Sequence, residues 1–340
     1  MKTISWRGAA LGLLSGLFVL GLVLVFLQGS AIQGKGNASP GGWSVIRPPS
    51  DVDALVVGPQ EIWAGGKDGV FRLDLETLQV SGPVNCGHPV EYVRALVLDA
   101  DGTLWIGHDR GLSRRDSAGC VLLTEQDGLP DPRVNALLRD RAGRLWVGTW
   151  GGAAVLSDGV WRTLTSRDGL LVDMVSVIME DAQGGMWFGS AVAPQGGLSI
   201  LQDGGWQHLS TDEGLPHNNI NALVQDSQGA VWIGTGLMDR GGTARLIQQD
   251  GAWSVKEVFD SQDGLAGNKG RSLMIDRGGR TWVGSEYDGL SRRDQSGWKV
   301  LTVQDGLSHN EIKVMLQDDA GNLWIGTRDG ITRIDSRDLP

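Results

Sequence analysis

Five histidines, two cysteines and two tyrosines are the side chains of this 340-residue chain best suited to chemistry, and their spacing carries no catalytic signature. There is no HExxH, GxSxG, CxxC or P-loop, and no GxGxxG opening a helix. His217-Asn218-Asn219 and His309-Asn310 stand at the same place in two copies of a repeat, where turn chemistry also selects Asn. Trp150 offers a flat apolar face for stacking, Arg240 a guanidinium for an acidic group, and Asn218, Asn219 and Glu286 directional hydrogen bonds. Glu286 and Tyr287 are neighbours in sequence, so in an extended segment their side chains point apart and cannot converge as an acid–base pair. Recognition is therefore expected before bond-breaking. The candidate ligand residues are Trp150, His217, Asn218, Asn219, Arg240, Glu286 and Tyr287, with no metal or cofactor implied.

The elements that position them follow from a tryptophan beat. Trp63, Trp105, Trp146, Trp187, Trp232, Trp282 and Trp324 are separated by 42, 41, 41, 45, 50 and 42 residues. A period of about 40–45 residues is that of a four-stranded propeller blade, so seven beats predict an all-β, seven-bladed β-propeller. The third unit shows the plan: strands over 134–139, 144–149, 153–156 and 161–165, divided by Gly and Asp clusters. In six units the tryptophan ends an Asp-x-x-Gly-x-x-Trp run, in which Asp accepts turn N–H groups and Gly takes a positive φ. The turns offer too few oxygens for an EF-hand-like calcium site. Thr281 breaks the apolar pattern at the residue before the tryptophan. Asp/Glu-Gly-Leu marks the crossing to the next blade from Asp127-Gly128-Leu129 onward, and the first unit has Cys86-Gly87-His88-Pro89 instead.

The core Asn221-Ala222-Leu223-Val224-Gln225-Asp226 through Trp232-Ile233-Gly234-Thr235, with the Gly-Leu strand and the "dGLp" crossing, resembles the two-component regulator propeller repeat. The resemblance covers most of the chain beyond the N-terminal region. It implies a seven-bladed ligand-binding sensor of the kind found outside the membrane in signalling proteins. No kinase or receiver sequence follows the last repeat, so the expectation is a sensor acting through a partner, such as a membrane signalling protein. A more distant similarity to streptogramin lyase-like propellers keeps a lyase or glycan-processing enzyme open, and a protein-interaction scaffold is a third reading.

Ala9 to Leu27 is an uncharged apolar run preceded by Lys2 and Arg7. It reads as a transmembrane anchor within residues 1–27, N-terminus cytoplasmic, with the propeller in the periplasm or outside the cell. A cleaved signal and a secreted protein is the alternative. Residues 28–42 read as a flexible linker and 43–340 as the propeller. Trp43 to Ile46 resembles an outer strand and Ile331 to Ile334 lacks one, so the two are expected to complete the seventh blade. The net charge is −10 and every acidic residue lies after residue 50, which argues against nucleic acid.

Cys86 follows the first outer strand and Cys120 begins the second, ends expected on opposite faces and too far apart for a disulfide. A ligand, a small molecule or oligosaccharide, is expected at the channel-mouth face, where crossings and second-to-third loops meet. The inserted loops at 191–195 and 236–240 bias it toward the third to sixth blades.

Overall fold

The computed structural model describes residues 43–340 and the backbone of Asn37 and Ala38. Seven antiparallel sheets follow one another along the chain, six of four strands and one of five. The third blade has strands Val134–Arg139, Leu145–Thr149, Gly152–Ser157 and Val160–Leu164, within a residue or two of the expected spans. The innermost strands touch in succession, and Ile312–Gln317 of the last blade touches Val52–Val57 of the first, which closes a ring around a channel.

Closure is made by the N-terminal strand. Ser44–Ile46 pairs antiparallel with Gly330–Ile334, Ser44 opposite Arg333, Val45 opposite Thr332 and Ile46 opposite Ile331. The ion pair between Arg47 and Asp329, at 2.7 Å, fastens its end. Asn37–Ala38, within the stretch read as linker, adds a short fifth strand outside it. No helix among the described residues is long and apolar enough to cross a membrane. The apolar run 9–27 lies outside the described residues, as does most of the linker.

Six of the seven repeat tryptophans are fixed by their own turns. The indole N–H donates to the turn aspartate in six blades, for instance Trp146 to Asp140 Oδ2 at 2.8 Å and Trp187 to Asp181 Oδ2 at 2.8 Å. In five of these the other oxygen of the aspartate accepts backbone N–H groups, as Asp140 Oδ1 does from Arg144 at 2.8 Å, and in the second blade Asp99 Oδ1 accepts from the Arg139 side chain instead. The ring then packs across the blade seam: Trp187 sits with Leu198 and Ile200 of its own blade and Ile220 and Ile233 of the next. The first blade has no such aspartate, and Trp63 Nε1 is buried without a partner.

The crossings are equally regular. In the second to sixth, the backbone N–H of a Ser, Thr or Asp donates to the acid of Asp/Glu-Gly-Leu, as Thr165 N–H does to Asp168 Oδ2 at 2.9 Å. The leucine is buried: Leu129, Leu170, Leu215, Leu265 and Leu307. The next residue then hangs on the third strand of the following blade. Leu171, Ala266 and Ser308 each donate a backbone N–H to Ser199, Ser291 and Thr332 at 2.9, 2.7 and 2.8 Å. At the second and fourth crossings the equivalent residues are Pro130 and Pro216, which have no N–H, and the equivalent third-strand positions hold Ala154 and Ala244, which have no hydroxyl.

One expectation fails. Cys86 and Cys120 form a disulfide, with Cα atoms 5.0 Å apart. The first outer strand is only Val80–Ser81, and the chain beyond it does not go straight to the mouth. It runs along the seam, where Val84 bonds to Val70 and Asn85 shares a cleft with Arg115, the strand partner of Cys120.

Candidate functional site

The channel mouth is built at the start of each inner strand. Asp53, Asn135, Asn221 and Lys313 are the extra residues of β-bulges, and Arg94, Ser176 and Arg271 hold the equivalent places. A bulge leaves one residue out of the ladder and re-aims its side chain. The ring so formed has two halves. In the neutral half, each side chain reaches the backbone of the following blade: Asn135 to Val175 O at 3.0 Å, Ser176 to Ile220 O at 2.6 Å, Asn221 to Gly270 O at 3.2 Å. The charged half is an ion network. Arg271 contacts Glu311 at 2.7 Å and both Glu286 and Asp53 at 3.4 Å. Lys313 contacts Asp53 at 3.1 Å and also Asp51, and Lys269 contacts Glu286.

The seven residues singled out in the sequence all lie on this face, in different states. Asn218 is an internal clamp: its Oδ1 accepts from Thr211 N–H at 2.7 Å, and its amide donates to Pro194 O at 2.6 Å, holding the inserted loop of the fourth blade. His217 Nδ1 accepts from Asn219 N–H at 2.9 Å. Burial, and secondarily the charge of Arg240, push the His217 imidazole below its ordinary pKa. Asn219 is buried with its Oδ1 unpartnered, and Glu286 is committed to Lys269 and Arg271. Trp150, Arg240 and Tyr287 remain exposed, on the third, fifth and sixth blades. Trp150 donates to Asn135 Oδ1 at 3.2 Å and carries the Arg133 guanidinium 4.2 Å from its ring centre, so one stacking face is already covered. The Glu286 charge raises the Tyr287 phenol pKa.

Sequence reasoning missed the ring itself and Tyr92. Tyr92 is 47% exposed and Trp150 and Tyr287 are 44% and 59% exposed; they are the exposed Trp, Tyr and Phe residues among those described, and all three stand on the mouth face. Tyr92 and Met238, on this same face, hold positive φ angles of 53° and 56°, strained for such side chains. The signal for the ring was present as one polar residue inside each apolar inner-strand start, as in Val134-Asn135-Ala136 and Ile312-Lys313-Val314. No cluster of potential metal ligands occurs among the described residues. A cleft of about 1100 Å³ opens on the opposite face, between the fifth and sixth blades, where no site was expected.

The model of the two component regulator propeller family matches residues 87–110, 128–151, 214–236 and 306–329. The chain carries two-component regulator propeller repeats. Each matched stretch runs through an inner strand and the Trp-bearing second strand. Each matched stretch thus takes in the turn aspartate and the indole that it fixes.

Among solved structures, the extracellular domain of a hybrid two component system from B. thetaiotaomicron matches with a TM-score of 0.72 at 20% identity, covering 85% of this chain and 39% of that one. Virginiamycin B lyase from Staphylococcus aureus, solved with quinupristin, matches with a TM-score of 0.64 at 14% identity, covering 84% of this chain and 96% of that one. PorZ, a surface component of the type-IX secretion system of Porphyromonas gingivalis, matches with a TM-score of 0.55 at 15% identity over 87% of this chain and 54% of that one. At these identities the likeness shows the propeller fold. The comparison with curated proteins gave no match.

Proposed function

We propose that this chain is an extracytoplasmic sensor propeller, held at the membrane through residues 9–27, which binds a small molecule or oligosaccharide at its channel mouth and signals through a partner. The observation that carries the reading is the gathering of Tyr92, Trp150 and Tyr287 on the mouth face, while the other Trp, Tyr and Phe rings among the described residues are buried or half-buried. Exposed aromatic rings on loops of a rigid scaffold are the usual anchors of recognition. The polar half-ring of Asn135, Ser176 and Asn221 supplies fixed donors and acceptors beside Trp150, and Arg240 supplies a charge. The repeat family and the likeness to an extracellular domain of a two component system support the compartment and the sensing role.

The test is a thermal-shift screen of the full-length chain against sugars and peptides, followed by affinity measurements on Trp150→Ala and Tyr92→Ala. A ligand of this face loses roughly 1–3 kcal/mol of binding in at least one variant. Unchanged affinity in both folded variants places the ligand elsewhere and rejects the reading.

A further inference from the structure

Two positions of the sixth blade depart from the repeat together. The residue before the repeat tryptophan is apolar in six blades, from Ile62 to Leu323, and is Thr281 in the sixth. Its antiparallel partner on the third strand is apolar in five blades, as in Leu145 opposite Leu156 and Val231 opposite Leu246. It is Arg115 opposite Leu104 in the second blade, and Arg293 opposite Thr281 in the sixth. Each of these arginines lies over the repeat tryptophan of the preceding blade, Arg115 at 5.5 Å from the Trp63 ring centre and Arg293 at 5.6 Å from that of Trp232. An apolar side chain at this position plugs the seam between blades; a guanidinium that needs solvent or a partner leaves it open. Both seams open into clefts, of about 440 Å³ at Arg115 and about 1100 Å³ at Arg293.

The two clefts differ in what they offer. Leu104 beneath Arg115 is apolar and fully buried. Thr281 is only 5% exposed, yet it lines the larger cleft, and its hydroxyl has no hydrogen-bond partner among the described residues. Arg293 is fixed by three rings, with Phe259 at 4.4 Å and Trp298 at 5.7 Å in addition to Trp232. Its guanidinium makes no hydrogen bond among the described residues. The carboxylate that comes near, Glu257, stands 4.0 Å away and is shared with Arg245 at 3.3 Å. The cleft thus presents a rigid fork of unused N–H donors beside an unused hydroxyl. A planar fork of this kind matches the two oxygens of a carboxylate or phosphate, and packing against aromatic rings has already removed the ordering cost.

We propose that the seam between the fifth and sixth blades is a binding site for an organic oxyanion, a carboxylate or a phosphate ester, gripped by Arg293 and Thr281 on the face opposite the channel mouth. The cleft is of the size that takes a small organic molecule rather than a bare ion. Glu257 is the internal anion that competes for the same guanidinium.

The experiment titrates the full-length chain separately with inorganic phosphate and with citrate, at ionic strength held constant with sodium chloride, reading tryptophan fluorescence and melting temperature. Saturable binding of one or both probes is expected, and which one saturates tells phosphate ester from carboxylate. Arg293→Gln and Thr281→Val should each weaken binding at least tenfold, and Glu257→Gln should tighten it at least threefold. Thr281→Val restores the residue type of the other blades, so it keeps the test valid if Arg293→Gln does not fold. No saturable response in either the native chain or Glu257→Gln, or equal affinity in the native chain and Thr281→Val, overturns the proposal.

Discussion

His88 Nε2 lies 2.8 Å from the Ser113 hydroxyl, on which His108 Nε2 also converges, at 2.9 Å. At the third, fifth and sixth crossings the equivalent hydroxyl receives a backbone N–H from the residue after the Gly-Leu pair. The first crossing has no Gly-Leu pair, and an imidazole has taken over that role. His108 in turn stands where the third, fifth and seventh blades have Thr149, Thr235 and Thr327, and its Nδ1 accepts the turn N–H of Arg110 at 3.2 Å as Thr149 Oγ1 accepts that of Gly151 at 3.1 Å.

This pair makes stability depend on acid. Burial, and then the neighbouring charge of His88, lower the His108 pKa from 6.5 to about 4, while Asp109 opposes and Arg110 adds to the shift. The folded state therefore favours the neutral ring. The stability linked to it is complete above pH 6.5 and is lost as pH falls toward 4, to about 3 kcal/mol in total. Melting curves between pH 7.5 and pH 4 should show this loss in the native chain and not in His108→Thr. Parallel curves would assign the acid sensitivity to another group.

The disulfide should matter for the same crossing. It closes a loop with a sequence separation of 34 residues, for which chain entropy suggests about 4 kcal/mol. Reductant should lower the melting temperature of the native chain and leave that of a Cys86→Ala/Cys120→Ala double variant unchanged. A native chain indifferent to reductant argues that the crossing is held by His88 and its packing alone.

The indole bond gives a comparison between blades. Trp146→Phe takes one of its donors from the buried Asp140 carboxylate, which keeps its contacts with Arg144, whereas Trp63→Phe removes an N–H that already has no partner. The first substitution should destabilise by about 1–2 kcal/mol more than the second in denaturant unfolding. Equal losses would mean that the aspartates serve the turns and not the rings.

Closure is tested by removing Ser44–Ile46. The deletion leaves Gly330–Ile334 as an unpaired edge, which invites sheet-to-sheet association. Light scattering and a lower melting temperature are expected. A deleted chain that melts like the native one and stays monomeric would show that the seventh blade does not depend on this strand.

The ring was legible because six of the seven blades repeat the same physical necessities in the same order, a turn acid, a positive-φ glycine and a large ring to fill the seam. Even the exchange of Pro130 with Ala154 and Pro216 with Ala244 is visible in the letters, since a missing donor and a missing acceptor change together. The mouth was less legible. Asn218 looks like a ligand residue in sequence, yet its amide is spent on Thr211 and Pro194, contacts formed only once the fourth and fifth blades meet. The disulfide was misjudged because the first outer strand was assumed to run full length, and its ladder stops at Ser81. Thr281 stood out at once, but its meaning needed the register that sets it opposite Arg293.

The pairing of Ser44–Ile46 with Gly330–Ile334 gives the ring one joint unlike the others. All seven blade-to-blade joints are backed by peptide bonds, residues 47–51 leading from the seventh blade to the first; within the seventh blade, three rungs of strand pairing alone join the N-terminal strand to the C-terminal one. Thermal breathing of a closed ring concentrates where the bonds are weakest. Amide exchange should therefore be fastest across this clasp, and a load applied to the N-terminal segment would unfasten the circle there before it disturbs any other blade.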